Sequence, residues 1–318
     1  GLSHLAMVGV AAGRMRYPWR LRRPRLTPEL RRLVTIAGPA VLAGGVVQIN
    51  LLVGRQVGSF FDGAIAWLSY ADRLYQLPLG VVGIAIGVVL LPDLSRRLKA
   101  GDVGGSRHAL SRATEFALFL TLPAAVALVV IAVPLISVLY ERGAFTAADT
   151  APTALALAIY GAGLPAFVLQ KILQPLYFAR EDTRTPFRFA IWSMVVNAVI
   201  AVGLAPVIGF AAAAVGTTAA AWIMVAQLWW GTRGMGEAAR ADDRLRARIP
   251  RIVVASAVMG LAIWVGAWAL SGQLGQAGHR YWALALLCLG GLAVYGAASL
   301  VTGAFRPSDL RAGFARQR

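Results

Sequence analysis

Cysteine, histidine and acidic residues are scarce in this 318-residue chain. The single cysteine, Cys288, excludes a disulfide framework and a cysteine metal site. The three histidines, His4, His108 and His279, lie far apart in loops or near the terminus. The 14 acidic residues provide no buried carboxylate pair for acid–base catalysis or a metal cage, and no Walker or Rossmann glycine pattern occurs. The sequence therefore indicates neither an enzyme nor a metal or other cofactor.

Apolar residues, by contrast, make up 58% of the chain, and the mean hydropathy of +0.67 is too high for a soluble domain of this length. Eight runs are long enough to cross a bilayer as helices, at about Leu33–Val57, Ala64–Pro92, Thr114–Tyr140, Ala151–Phe178, Phe187–Ala205, Phe210–Trp230, Ile252–Leu270 and Tyr281–Gly303. The chain starts at Gly1 with an apolar run typical of the end of a helix. We expect an all-α polytopic membrane protein with eight complete transmembrane helices and a partial N-terminal one, as a fragment of a longer protein.

The net charge of +17 is distributed with a clear pattern, because 26 of the 31 Lys and Arg residues lie in alternate segments between these runs or in the C-terminal tail. By the positive-inside rule, the basic loops and the C-terminus are predicted to be cytoplasmic. Cations spread over five segments beside membrane spans suit anionic lipid head groups, so membrane lipids are expected partners and nucleic acid is not. The predicted domains are a truncated helix (1–10), a basic cytoplasmic linker (11–32), a six-helix bundle (33–232), a basic cytoplasmic loop (233–250), two additional helices (251–303) and a basic cytoplasmic tail (304–318).

The run Ala64–Pro92 holds an arginine, Arg73, well inside. A charge at that depth is costly, so we expect it to face a watery cavity, a partner or an anionic ligand; snorkelling or an ion pair with a neighbouring helix is the alternative. Ser69 and Gln76 fall on the same helical face as Arg73. An arginine fork binds phosphate oxygens in a bidentate manner, so this face is a candidate anion-binding surface.

Lys171, in the span Ala151–Phe178, is either a second cation of the same cavity, nearer the cytoplasm, or a lysine that snorkels toward the cytoplasmic face. Asp72 adjoins Arg73 but points about 100° away around the helix, so the two need not pair. Further polar residues within spans favour hydrogen bonds between helices over contacts with a ligand or ion: Asn50, Asn197, Thr217 and Thr218.

Four stretches, in order along the chain, give this sequence a family resemblance. Tyr70–Arg96 (YADRLYQLPLGVVGIAIGVVLLPDLSR) resembles the MurJ/MviN family of lipid II flippases, within the larger superfamily of multidrug and oligosaccharidyl-lipid exporters. Leu139–Thr150 (LYERGAFTAADT), Pro175–Ile191 (PLYFAREDTRTPFRFAI) and Gly209–Trp222 (GFAAAAVGTTAAAW) resemble later parts of that family. The resemblance implies the end of helix six and helices seven to fourteen of a fourteen-helix fold, namely the second six-helix bundle and the two extra C-terminal helices.

The resemblance also implies a function and a site. The family moves lipid II, the undecaprenyl-pyrophosphate-linked peptidoglycan precursor, from the inner to the outer leaflet of the bacterial cytoplasmic membrane by alternating access. Arg73 and Lys171 match cavity cations of the family, whereas Gln76 stands where some members have a glutamate and Ala66 where some have a serine. The first bundle is not in this sequence, so the chain alone is not expected to transport. The alternatives are another exporter of the superfamily, for O-antigen or polysaccharide lipids or for drugs, and a membrane glycosyl- or phosphotransferase.

Overall fold

The computed structural model describes residues 52–276 and 278–305, with isolated positions 7, 9, 10, 27, 28 and 45 before them; for residues 84–89 and 91 it describes the backbone alone. The chain divides into two compact units, Gly1–Gly38 and Pro39–Arg318, and the helices named below all belong to the second. After a helical segment at residues 52–58, these helices are α1 (Ala64–Lys99), α2 (Val103–Val130), α3 (Ala132–Tyr140), α4 (Ala147–Phe178), α5 (Arg184–Ile208), α6 (Ala211–Thr232), α7 (Asp243–Ala269), α8 (Ser271–Leu274) and α9 (Arg280–Val301). Two 3₁₀ turns, Arg233–Met235 and Glu237–Ala239, join α6 to α7.

Six helices of the described residues are long and apolar enough to cross a membrane: Val103–Val130, Ala147–Phe178, Arg184–Ile208, Ala211–Met235, Glu237–Ala269 and Arg280–Val301. They overlap the last six predicted spans, so the all-α polytopic fold class is confirmed. The first predicted span, Leu33–Val57, lies mostly outside the described residues, and α1 is not one of the six. The count of eight is therefore not confirmed.

Helix α1 begins at Ala64, as predicted, but continues seven residues beyond Pro92. Its 36 residues span about 54 Å, which is longer than the hydrocarbon core of a bilayer at about 30 Å. Two prolines, Pro78 and Pro92, lie inside the helix without ending it. The last turn therefore extends past the apolar run and carries Arg96, Arg97 and Lys99.

The predicted span Thr114–Tyr140 is two helices rather than one. Helix α2 ends at Val130 and α3 begins at Ala132, with Ile131 between them. The cause is local, because Pro134 has no amide hydrogen to donate to the carbonyl four residues earlier, that of Val130. The predicted span therefore contains a helix break at Ile131, which the position of this proline could have indicated.

Helix α4 lies at the centre of the bundle and packs against α1, α2, α3 and α6. In its most apolar stretch of 18 residues, 61% is buried within the protein, which is the largest share among the six spanning helices. Polar side chains join the buried helices: Tyr177 Oη donates to Leu228 O at 2.7 Å, Thr218 Oγ1 to Ile159 O at 3.0 Å, and Ser193 Oγ to Ala220 O at 2.8 Å. These bonds satisfy hydroxyl groups that would otherwise be unpaired in hydrocarbon, and the Thr218 bond confirms an expected contact between helices.

The last two long helices form a layer on α2. Helix α7 packs against both α2 and α9, and Ala255, Met259 and Ile263 of α7 share a buried cluster with Leu287 and Tyr295 of α9. Tyr295 Oη also donates to Phe119 O of α2 at 2.6 Å. The pair is thus attached to the other described helices through α2, and α9 also packs on α3.

The crossing of α5 and α6 depends on Gly216. A Cβ atom added there would lie 2.6 Å from Asn197 Oδ1 and 2.9 Å from the Asn197 backbone oxygen. Backbone atoms cannot rotate away, so we expect Gly216→Ala to separate the helices and lower the free energy of unfolding by about 1–3 kcal/mol. Thermal unfolding of the detergent-solubilised protein, followed by circular dichroism, measures the change.

Gly203→Ala is the matched control for Gly216→Ala. Gly203 lies in α5 with nothing within 4 Å of an added Cβ. Alanine is favoured over glycine in helices by about 0.5–1 kcal/mol, so this variant should be neutral or slightly stabilised. Equal destabilisation by the two substitutions would contradict the close-packing explanation.

Candidate functional site

A cavity of about 370 Å³ opens where residues 52–58, α1, α4 and α6 meet. We call it the Arg73 cavity. Its polar and aromatic lining consists of Arg55, Ser69, Asp72, Arg73, Tyr75, Gln76, Tyr160 and Thr217. The volume falls within the range of about 300–1,000 Å³ that is typical of small-molecule sites. Five of the residues singled out from the sequence are therefore brought together: Ser69, Asp72, Arg73, Gln76 and Thr217.

Helix α1 supplies most of the polar lining because residues three or four apart lie on one face. Ser69 Oγ donates to Ile65 O in its own helix at 2.6 Å. Gln76 Nε2 donates to Asp72 Oδ2, one turn away. The amide of Gln76 thus stabilises the carboxylate of Asp72, which is the one acidic side chain among the residues that line the cavity.

Arg73 lies nine residues, or about 14 Å, from the start of α1. Its side chain is exposed, as is that of Arg55. Neither guanidinium forms a hydrogen bond or an ion pair with another residue in the described part of the chain. Arginines near the basic loops behave differently: Arg97, Arg107, Arg112, Arg240, Arg244 and Arg248 all form ion pairs. The cavity therefore holds two cations whose hydrogen-bonding groups are available to a ligand.

Lys171 does not line the Arg73 cavity. Its exposed side chain lies instead against Gly83 of α1, where an added Cβ would be 3.0 Å from Lys171 Cδ and 3.7 Å from Nζ. Gly83 is ten residues after Arg73, which is about 15 Å along the helix. Both cations are thus next to α1, but at different levels.

The remaining predicted polar residues are dispersed. Asn197 is buried in α5 at 1% exposure and is not part of the cavity lining. Thr217 lines the cavity, but its hydroxyl donates to Ala213 O within α6 rather than to a neighbouring helix. Asn50 lies outside the described residues.

Three of the polar and aromatic lining residues were not assigned to a site from the sequence: Arg55, Tyr75 and Tyr160. The rings of Tyr75 and Tyr160 lie 5.1 Å apart, and Phe167 stacks on Tyr75 at 5.3 Å, which gives the cavity an aromatic wall. A signal existed for Arg55, since it lies within the predicted span Leu33–Val57 and cations within spans are rare. Tyr160 belongs to α4, and no pattern within α1 indicates that it packs there.

Six described helices of spanning length, with a polar cavity that carries two arginines, are typical of a polytopic membrane protein of the transporter class. Residues 2–279 match the family model described as "Lipid II flippase MurJ". The chain belongs to this family, as the motif resemblance indicated, and the family is one of transporters rather than enzymes. The family and the apolar helices also make the chain an integral protein of the inner membrane.

Comparison with individual proteins agrees with this assignment. A "Probable lipid II flippase MurJ" from Rhizobium meliloti is 46% identical over 265 residues, which cover 83% of this chain and 49% of that protein. The solved "Lipid II flippase MurJ, inward closed conformation" superposes with a TM-score of 0.70 at 26% identity, over 88% of this chain and 56% of that one. A transporter of the MOP superfamily from Pyrococcus furiosus, at 15% identity and a TM-score of 0.53, shares the fold alone over 86% of this chain and 64% of that one. The chain spans about half the length of the curated relative.

Proposed function

We propose that this chain is the second half of a flippase that moves lipid II from the inner to the outer leaflet of the bacterial cytoplasmic membrane. The observation that carries the proposal is the free guanidinium of Arg73 in a polar cavity between apolar helices. An ionisable group in that position is costly unless it serves a ligand or a permeation path. The pyrophosphate of lipid II is a ligand whose oxygens match an arginine fork.

In the proposed mechanism, Arg73 binds the pyrophosphate while Ser69, Gln76 and Thr217 line its surroundings. Lys171 of α4 contacts Gly83, which lies about 15 Å farther along α1 than Arg73. It is a second cation nearer the cytoplasm, where it meets the anionic head group first. The two bundles of the complete protein rock about the cavity and open it alternately to each side. Asp72 in the cavity, together with Asn197 of α5 and with Asn50, provides further polar or ion contacts.

The orientation follows from the charged loops. If the basic segments 11–32, 233–250 and 304–318 are cytoplasmic, α1 runs from the outer face inward and Arg73 lies in the outer half of the membrane. Residues 33–232 then form the second transporter bundle, and residues 251–303 are the additional pair, packed on α2. An inside-negative potential favours outward movement of an anion by about 2.3 kcal/mol per charge per 100 mV.

The test of this function is a depletion experiment. In cells whose own flippase is depleted, a full-length protein that carries this segment should restore growth and the exposure of lipid II on the outer leaflet. The measurement is the fraction of lipid II accessible to a membrane-impermeant reagent in spheroplasts. Lipid II that remained on the inner leaflet, although the protein was present in the membrane at the normal level, would refute the proposal.

A further inference from the structure

Arg55 contributes a second arginine to the Arg73 cavity from a different part of the chain. It lies in the helical segment at residues 52–58, whereas Arg73 belongs to α1. Both line the same cavity of about 370 Å³. Two cations from separate helices therefore share one ligand-sized space.

The position of Arg55 is set by its neighbours in the fold. Val57 is 4% exposed and belongs to the buried cluster that includes Leu68 and Ala71 of α1. A Cβ added at Gly58 would lie 3.3 Å from Leu68 Cδ1, so the backbone there approaches α1 closely. Because its own segment is packed against α1, Arg55 is held beside the cavity.

The charges of the cavity do not balance. Arg55 and Arg73 face one carboxylate, Asp72, which accepts a hydrogen bond from Gln76. Neither arginine lies within ion-pair distance of an acidic group among the described residues. Asp72 offsets one of the two positive charges, so the lining keeps an excess positive charge that favours the entry of an anion. Two guanidinium groups, each able to form two parallel hydrogen bonds, match an anion with two phosphate groups.

We infer that Arg55 and Arg73 form a two-arginine clamp for a diphosphate, with one guanidinium on each phosphate group. The inference rests on the proposed function, because the pyrophosphate of a lipid-linked substrate is the diphosphate in question. The clamp makes the cavity selective: a single phosphate needs Arg73 alone, whereas a diphosphate needs both arginines. Arg55 is thus the residue that distinguishes diphosphate from monophosphate.

The test compares two inorganic probes on the purified full-length protein in lipid nanodiscs. Calorimetry measures the affinity for pyrophosphate and for orthophosphate in the parent and in Arg55→Ala, Arg55→Lys and Arg73→Ala. Arg55→Ala should weaken pyrophosphate binding by about tenfold or more, the effect of losing one charge-assisted bidentate contact. It should change orthophosphate affinity by less than about twofold, and Arg55→Lys, which keeps the charge but loses the fork, should give an intermediate loss. Arg73→Ala should weaken both probes.

Arg142→Ala is the matched control, because Arg142 is an exposed arginine outside the cavity lining. Thermal unfolding confirms that each variant is folded. The clamp is overturned if the parent binds the two probes equally or binds no pyrophosphate, if Arg55→Ala leaves pyrophosphate affinity unchanged, or if Arg142→Ala causes the same loss. A protein that showed the expected binding pattern but failed to expose lipid II in cells would retain the clamp and refute the proposed function.

Discussion

Replacing Arg73 by alanine in the full-length protein is expected to reduce lipid II translocation by about 30-fold or more. A hydrogen bond to a charged group contributes about 1.5–3 kcal/mol, and each 1.4 kcal/mol corresponds to a factor of about ten. Arg73 lines the cavity without an ion pair of its own among the described residues, so its removal loses ligand contacts without releasing a protein partner. The measurement is the rate at which lipid II becomes accessible on the outer leaflet.

Arg73→Lys separates charge from geometry. Lysine retains the positive charge but is a point donor without the planar fork, so we expect partial activity, about tenfold below that of the parent. Arg142→Ala, outside the cavity, should transport normally. Normal growth and translocation in both Arg73 variants would eliminate Arg73 as the phosphate contact, whereas loss in both, or in the alanine variant alone, would support it.

Glu115→Ala is expected to lower the free energy of unfolding by about 3–5 kcal/mol, the range for removing one partner of a buried ion pair. Glu115 of α2 is 8% exposed and accepts hydrogen bonds from Arg112 of its own helix and from Arg244 and Arg248 of α7. Arg248 is itself only 6% exposed. Without the carboxylate, the buried guanidinium of Arg248 would lose this acceptor at the α2–α7 contact.

The same contact organises the start of α7. Arg112 Nη2 donates to Asp242 Oδ2 at 2.6 Å, and Asp242 Oδ1 accepts from Leu245 N at 2.7 Å as the N-cap of α7. Arg107 Nη2 donates to Ala241 O at 3.0 Å. Loss of Glu115 should therefore also loosen the loop before α7, and limited proteolysis within residues 233–242 provides a second measurement.

Glu237→Gln is the control for the Glu115 prediction. Glu237 pairs with Arg107 and Arg240, but its side chain is 53% exposed. Exposed ion pairs contribute about 0–1 kcal/mol, so this variant should unfold close to the parent. If Glu115→Ala were no less stable than Glu237→Gln, the ion pairs of Glu115 with the arginines of α7 would not hold α7 against α2.

Spacing along one helix predicted the cavity face of α1 because neighbours three and four residues apart necessarily share a side. Ser69, Arg73 and Gln76 were grouped in this way, and all three line the Arg73 cavity. The same reasoning left Lys171 open between two positions, since periodicity within α4 does not show which helix the lysine contacts. The structure places it against Gly83, at another level of α1.

The sequence by itself determined that this is a helical membrane protein and where its unusual charge lies. Hydrocarbon offers the backbone no water to bond, so apolar runs of about 20 residues cross it as helices, and an arginine inside one of them is costly enough to indicate a site. Only the tertiary structure decided which groups accompany Arg73. Arg55 and Tyr160 reach the cavity from other helices, and Glu115 meets Arg248 from 133 residues away. Such contacts depend on how several helices pack at once, which the periodicity of a single helix does not specify.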